Sequence, residues 1–349
     1  MSFIKREYKI EDPRQSDAVR ELAAKIDLRT KPFGAFGFLG EVLSRLAGQQ
    51  NSVKPRLLHP ALLIFGGDHG IAGYLSGINS EAESAQLVSE ILHGDSPLQR
   101  SNQQSRYKMK VVDLGLNYRF EANINYWLQH GNRLVNARQG EGSADLTQYP
   151  SLTSAQAEEA WHTGARLISR EHHYRSNFLA FAGLGDGQMV SNLALISAVY
   201  DQLPEKIFPN DLLADPYLIE CAKLAGRAVQ RHPKTHDPFT ILTLYGGFEH
   251  LALCGAMLRA AECRISFLVD NLSALIALYF AGLIDARVNH YAFLPATIPG
   301  PVAQLLLKEQ KAPGILPGPV GGFPGLASTL ALPVLKGALQ FFNSEESES

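Results

Sequence analysis

The chain has 349 residues, enough for one large domain with an appendage or for two modest ones. It is 46% hydrophobic and 19% charged with a formal net charge of -2, a globular composition without a general electrostatic pull toward nucleic acid or an anionic membrane, and no dense Lys/Arg run offsets this. No apolar run is long enough to span a bilayer and Met1 is followed by no apolar signal region, so a cytoplasmic protein is expected.

Residues 1–50 read as helical. An unalternating apolar run at 61–65 then leads into Gly66-Gly67-Asp68-His69-Gly70, and helical spacing follows over 80–92. Residues 110–112 form a second apolar run, ending in Asp113-Leu114-Gly115. Thr153 and Gln156 have capping-box spacing and open a predicted helix to 171. The run at 178–182 meets Gly183-Leu184-Gly185-Asp186-Gly187. Helical spacing returns over 215–231 and 248–261, a strand over 265–269 ends at Asp270, and a helix is predicted over 271–281. The last run, 291–294, stops at Pro295, and 301–345 is again helical. Apolar runs without alternation suit strands buried on both faces. Their regular exchange with helices predicts an α/β fold with a doubly wound, mainly parallel, Rossmann-like sheet. Residues 51–300 would form that nucleotide-binding domain, 1–50 plus 301–345 a small helical subdomain, and 346–349 a disordered tail.

In such sheets ligands bind beyond the carboxyl ends of the strands. The glycine and acid turns at 66–70, 113–115 and 183–187, with Asp270 and Pro295, would therefore line one rim. Each turn alone reads equally as a strand end or a helix cap; together they favour a small-molecule site. The spacing after Gly183 fails the dinucleotide fingerprint, and neither a GxxxxGK[ST] phosphate loop nor a GxSxG elbow occurs. Cys221, Cys254 and Cys263 have no CxxC spacing and read as buried free thiols. No metal-ligand motif is present, and adjacent His172 and His173 diverge on a helix, so neither a metal nor a cofactor is expected.

Several segments in order resemble the nicotinate-nucleotide:dimethylbenzimidazole phosphoribosyltransferases. Asp27-Leu-Arg-Thr30-Lys31-Pro32-Phe-Gly34 is similar to that family's opening. Gly67-Asp68-His69-Gly70-Ile71-Ala72 resembles its GDHGVA, and Ser84-Ala85-Gln86-Leu87-Val88 its TAQMV. Gly142-Ser143-Ala-Asp145 with Pro150 and Leu152-Thr153, then Gly183-Leu-Gly185-Asp186, Asp237-Pro238, Gly246-Gly247-Phe-Glu249, Leu268-Val269-Asp270 and Leu330-Ala331-Leu332-Pro333, continue the likeness. The resemblance implies a homodimer that binds a nucleotide and an aromatic base. Its reaction joins nicotinate mononucleotide to 5,6-dimethylbenzimidazole, giving α-ribazole 5′-phosphate and nicotinate. It also implies substrate-binding roles for Asp68, His69, Gln86, Gly142, Ser143, Gly183, Gly185, Glu249 and Asp270, and a catalytic carboxylate at Asp186.

The sequence departs from the family where its chemistry is done. Aligned back from Pro333, the general-base glutamate falls on Pro324, which cannot ionise. The phosphate loop corresponds to Pro209-Asn210-Asp211-Leu212-Leu213, without glycines and with an acid that repels phosphate. The SAEPGH segment becomes Ala296-Thr297-Ile298-Pro299-Gly300-Pro301. Two readings stay open: a transferase with an altered active site, in which Asp186 supplies a carboxylate, or a non-catalytic nucleotide-binding or regulatory paralogue, in which Asp186 and Glu249 only cap their helices.

Overall fold

A computed structural model describes residues 8–32, 34–75, 83–94, 96–120, 133–208, 215–309 and 314–344. The amino-terminal helices are α1 (Asp17–Arg29) and α2 (Gly37–Gln50). Strand β1 (Ala61–Gly67) follows, then α3 (Glu83–His93), α4 (Pro97–Ser105), β2 (Lys108–Gly115) and β3 (Arg133–Asn136). Helix α5 (Ser154–His173) leads to β4 (Phe178–Leu184), α6 (Gln188–Tyr200), α7 (Pro204–Ile207), α8 (Pro216–Arg231), α9 (Pro238–Tyr245) and α10 (Phe248–Glu262). Strand β5 (Ser266–Val269), α11 (Leu272–Ile284), β6 (Ala292–Phe293), α12 (Pro301–Glu309) and α13 (Leu326–Asn343) follow among the described residues.

Among the described residues, six strands pair in the order β3-β2-β1-β4-β5-β6, every pair parallel. This is the doubly wound fold expected from the apolar runs, with its topological switch point between β1 and β4. All seven residues of β1 and of β4 are buried, because helices cover both faces of the sheet. Leu63 and Phe65 point into a core shared with α5, α6, α8, α9, α10, α11 and α12. Leu62 and Ile64 point the other way, into a core shared with α1, α2, α3, α4 and α13.

The two termini meet on that second face. Phe36 packs edge-on against Phe342 at 4.7 Å, and the Arg29 guanidinium donates to the Phe342 carbonyl at 3.0 Å. Their core is continuous with the sheet through Leu62 and Ile64. Helix α12, within the stretch 301–345, packs instead on the opposite face through Val302, Ala303 and Leu306. The Thr153 capping box is present: the Gln156 amide donates to Thr153 Oγ1 at 3.3 Å, and the Thr153 amide to Gln156 Oε1 at 3.0 Å. Cys221 and Cys254 are buried free thiols; Cys263, at the end of α10, is only half-buried, since the chain there turns back toward the surface. Residues 80–82 of the predicted 80–92 helix and the tail 346–349 lie outside the described residues.

Helix α10 is buried on nearly every side and packs closely on α5. A Cβ at Gly164 of α5 would stand 1.9 Å from the Ala252 carbonyl oxygen, and one at Gly255 of α10 2.2 Å from that of Trp161. Both glycines let the helix backbones touch. Since backbone cannot yield as a side chain can, Gly164→Ala is expected to cost about 1–3 kcal/mol. A urea midpoint within error of wild type would mean that the helices separate freely at this crossing.

Candidate active site

The carboxyl ends of the strands bring the sequence-predicted turns to one rim, across the switch point. Asp68, just past β1, organises it. Its amide donates to Gly115 O at 3.0 Å and its carbonyl accepts from Ser143 N at 2.8 Å. Its carboxylate accepts from the Asn117 amide at 2.6 Å and from the Asp186 amide at 2.9 Å. His69 N donates to Asp186 O, and Gly70 N to Ser143 O, both at 3.0 Å. Asp68, His69, Gly142, Ser143, Gly185 and Asp186 thus lie together, whereas Gly183, still within β4, exchanges hydrogen bonds with the Asn271 side chain at 3.1 and 2.7 Å. Gly142 sits at φ +81°, close to Asp68 O, and a Cβ at Gly185 would lie 1.9 Å from Gly67 O.

Beneath the rim lies a buried polar cluster. Glu249, in the first turn of α10, is fully buried, with Oε1 3.0 Å from His69 Nε2 and 2.8 Å from His250 Nδ1. The amide of Gln188 reaches the same oxygen at 3.4 Å. His250 Nε2 pairs with Asn192 Oδ1 at 2.9 Å, and Asn192 Nδ2 with Ser273 Oγ at 3.2 Å. Burial opposes a charge on His69, but Glu249, with Asp68 and Asp186 behind it, outweighs burial and raises the imidazole pKa. Burial likewise opposes charge on Glu249, yet its two histidines hold the carboxyl well below the usual range. Gly247 leaves the room: a Cβ there would meet Glu249 Oε2 at 2.2 Å and His69 Cε1 at 2.6 Å.

His69, Glu249 and His250 place one ligand atom each within 4.8 Å, a metal-like grouping that no sequence spacing announced. Hydrogen bonds already engage the ring nitrogens that face the carboxylate, His250 Nδ1 as acceptor from a backbone amide. His250 uses Nε2 on Asn192, its Nδ1 faces the Gly247 amide at 3.1 Å, and His69 Nε2 is taken by Glu249. Glu249 Oε1 thus meets two imidazoles, while its Oε2 has no hydrogen-bond partner among the described residues.

Two other expected residues sit differently. Gln86 on α3 is exposed and bonds Glu90 at 3.0 Å; its neighbours Ser84 and Val88 take the buried face, so helical spacing turns Gln86 outward. Asp270, past β5, is buried and starts α13, accepting from the Gly325 amide at 2.7 Å, the Ser328 amide at 2.8 Å and Ser328 Oγ at 2.6 Å. Burial raises its pKa against those bonds. Pro324 is half-buried in the turn beside this cap, and residues 209–213 lie outside the described residues. Of Asp68, Asp113, Asp186, Glu249 and Asp270, only Asp186 is half-buried rather than buried, with its oxygens 3.0 Å from Ser84 N and 3.2 Å from Ser84 Oγ. Sequence reading missed His250, Gln188, Asn192 and Ser84; the spacing of Gln188 and Asn192, one helical turn apart, was the available signal.

A family model described as phosphoribosyltransferase matches residues 11–348. A nicotinate-nucleotide–dimethylbenzimidazole phosphoribosyltransferase of Photobacterium profundum is 30% identical over 334 residues, covering 95% of this chain and 94% of its own length. One from a Shewanella species is 29% identical over 333 residues, 93% and 91% of the two lengths. The crystal structure of a Thermus thermophilus protein of that name superposes with a TM-score of 0.83 at 22% identity, over 96% of this chain and 97% of that one, and so shares the fold. The chain therefore belongs to the nicotinate-nucleotide–dimethylbenzimidazole phosphoribosyltransferase family.

Proposed function

We propose that this protein transfers ribose phosphate from nicotinate mononucleotide to 5,6-dimethylbenzimidazole or a related base, using an altered active site. The observation that carries the reading is the convergence of the Asp68, Ser143 and Asp186 turns at the switch point, in a chain matched end to end by relatives of that name. In the reaction a ring nitrogen of the incoming base bonds to the anomeric carbon. The glycosidic bond to nicotinate breaks, nicotinate leaves with that electron pair, and the incoming nitrogen gives up its proton. Asp186 is the rim carboxylate best placed to take that proton, because it alone of Asp68, Asp113, Asp186, Glu249 and Asp270 is half-buried rather than buried. The same reading includes a homodimer working in the cytoplasm. Among the described residues, no helix is long and apolar enough to cross a membrane.

A second reading, a nucleotide-binding paralogue without turnover, is favoured by one observation. Pro324 stands where the resemblance puts the general base, and Asp270, which accepts from the amide of the adjacent Gly325, is committed to the α13 cap. Free nicotinate released from nicotinate mononucleotide, measured with a panel of benzimidazoles, purines and phenols, separates the two. Sustained release is expected, with kcat in Asp186→Asn lowered by about a hundredfold, the usual contribution of a positioned base. Thermal stabilisation by the nucleotide without release for any acceptor would establish the non-catalytic reading.

A further inference from the structure

At the opposite edge of the sheet, a pocket of about 250 Å3 is lined by Pro13, Arg14, Val19, Glu41, Arg45 and His290. It lies between the Pro13–Gln15 turn, α1, α2 and the Ala286–Tyr291 turn that feeds the start of β6. The strand-end turns are at the far end of the parallel strands, so this pocket is separate from the rim.

Arg45 sets its chemistry. Its Nη2 donates to Asn289 O at 3.1 Å and to Ala292 O at 3.0 Å, and its guanidinium lies 4.8 Å from the centre of the Phe293 ring. Those contacts fix the side chain without neutralising it: among the described residues no carboxylate stands within ion-pairing distance. Its Nε and Nη1 have no acceptor among the described residues. Burial draws the Arg45 pKa down to about 10, only partly opposed by Glu41 one turn earlier on α2. The other guanidinium is already paired, Arg14 with Asp12 at 2.7 Å. Burial, together with Arg14 and Arg45, lowers the His290 pKa against the pull of Asp12.

We propose that this pocket binds a small organic monoanion, a carboxylate on a compact apolar body, with Arg45 as its counter-ion. With Nη2 committed to two carbonyls, the guanidinium supplies the positive charge and a single N–H donor to one carboxylate oxygen rather than a two-pronged fork. Pro13 and Val19 offer an apolar wall for the rest of the molecule. Glu41 lines the site and weighs against a dianion such as phosphate. The volume equals that of roughly eight waters at ~30 Å3 each, which limits the ligand to about the size of benzoate.

The inference is independent of the transferase reading and is tested on the full chain by titration calorimetry with benzoate, with inorganic phosphate as comparator. Saturable benzoate binding is expected, weakened at least tenfold by Arg45→Gln and tightened severalfold by Glu41→Gln, with no saturable phosphate binding. Glu41 is exposed on α2, so its variant keeps the test valid even where loss of Arg45 disturbs folding. Absence of saturable benzoate binding, an affinity unchanged by Glu41→Gln, or tighter binding of phosphate than of benzoate would each overturn the proposal.

Discussion

Asp68→Asn is expected to destabilise the protein by about 3 kcal/mol, nearly as much as Asp68→Ala, although the asparagine is almost isosteric. Both carboxylate oxygens accept from backbone amides, one from Asn117 at 2.6 Å and the other from Asp186 at 2.9 Å. Hydrogen bonds to a charged acceptor contribute about 1.5–3 kcal/mol each. An asparagine keeps one acceptor and turns an NH2 group toward the second amide, so one bond is lost and two donors face each other. The same bonds tie the loop after β2 and the loop after β4 to the end of β1. Transfer activity should therefore fall by about a hundredfold, the usual consequence of a misplacement near 1 Å. Urea midpoints of the two variants, read beside nicotinate release, check both effects. If Asp68→Asn were as stable as wild type while Asp68→Ala was not, one of the two amides would have to find its partner elsewhere.

Much of this rim was legible because its signals are local. Residues 61–65 and 178–182 are apolar without alternation, which only strands buried on both faces require, and each ends in a glycine–acid turn that the parallel sheet delivers to one edge. The unforeseen elements lack such signals. Helix α6 is apolar on almost all sides, so residues 188–200 carry no amphipathic period to read. Strand β3 has only four residues and pairs on one side, so its apolar content is too small to register. At the site, the position of Gln86 depended on which face of α3 turns inward, which the spacing of Ser84 and Val88 decides only after the helix is docked. The meeting of Glu249 with His69 spans 180 residues, and that of Asp270 with Ser328 spans 58; neither sequence separation betrays the contact. Sheet topology creates both.

Glu249→Gln should cost about 3–5 kcal/mol and change the sign of the pH dependence above neutrality. Removing one member of a buried ion pair leaves the other charge in a medium that solvates it poorly. Here the remaining member is His69, fully buried, with Glu249 Oε1 at 3.0 Å as its hydrogen-bonded counter-ion. The His69 pKa is raised above its ordinary 6.5, so its contribution to stability is complete below that value and is lost as pH rises through the folded-state pKa. The Glu249 pKa is depressed below its ordinary 4.5, so its contribution is complete above 4.5 and is lost as pH falls through the folded-state pKa. The pair stabilises most between those two ordinary values, and the wild-type protein should lose stability as the pH climbs beyond 6.5. In Glu249→Gln the largest attraction is gone, and burial, the largest single cause, outweighs the smaller pulls of Asp68 and Asp186 and pushes the imidazole pKa down. Its folded state then favours the neutral ring, and stability should rise with pH through 6.5 instead of falling. Urea unfolding of both proteins at intervals from pH 5 to about 9 measures the two slopes directly. A decline above pH 6.5 that survived unchanged in Glu249→Gln would show that His69 owes its proton to Asp68 and Asp186, or that another group titrates there.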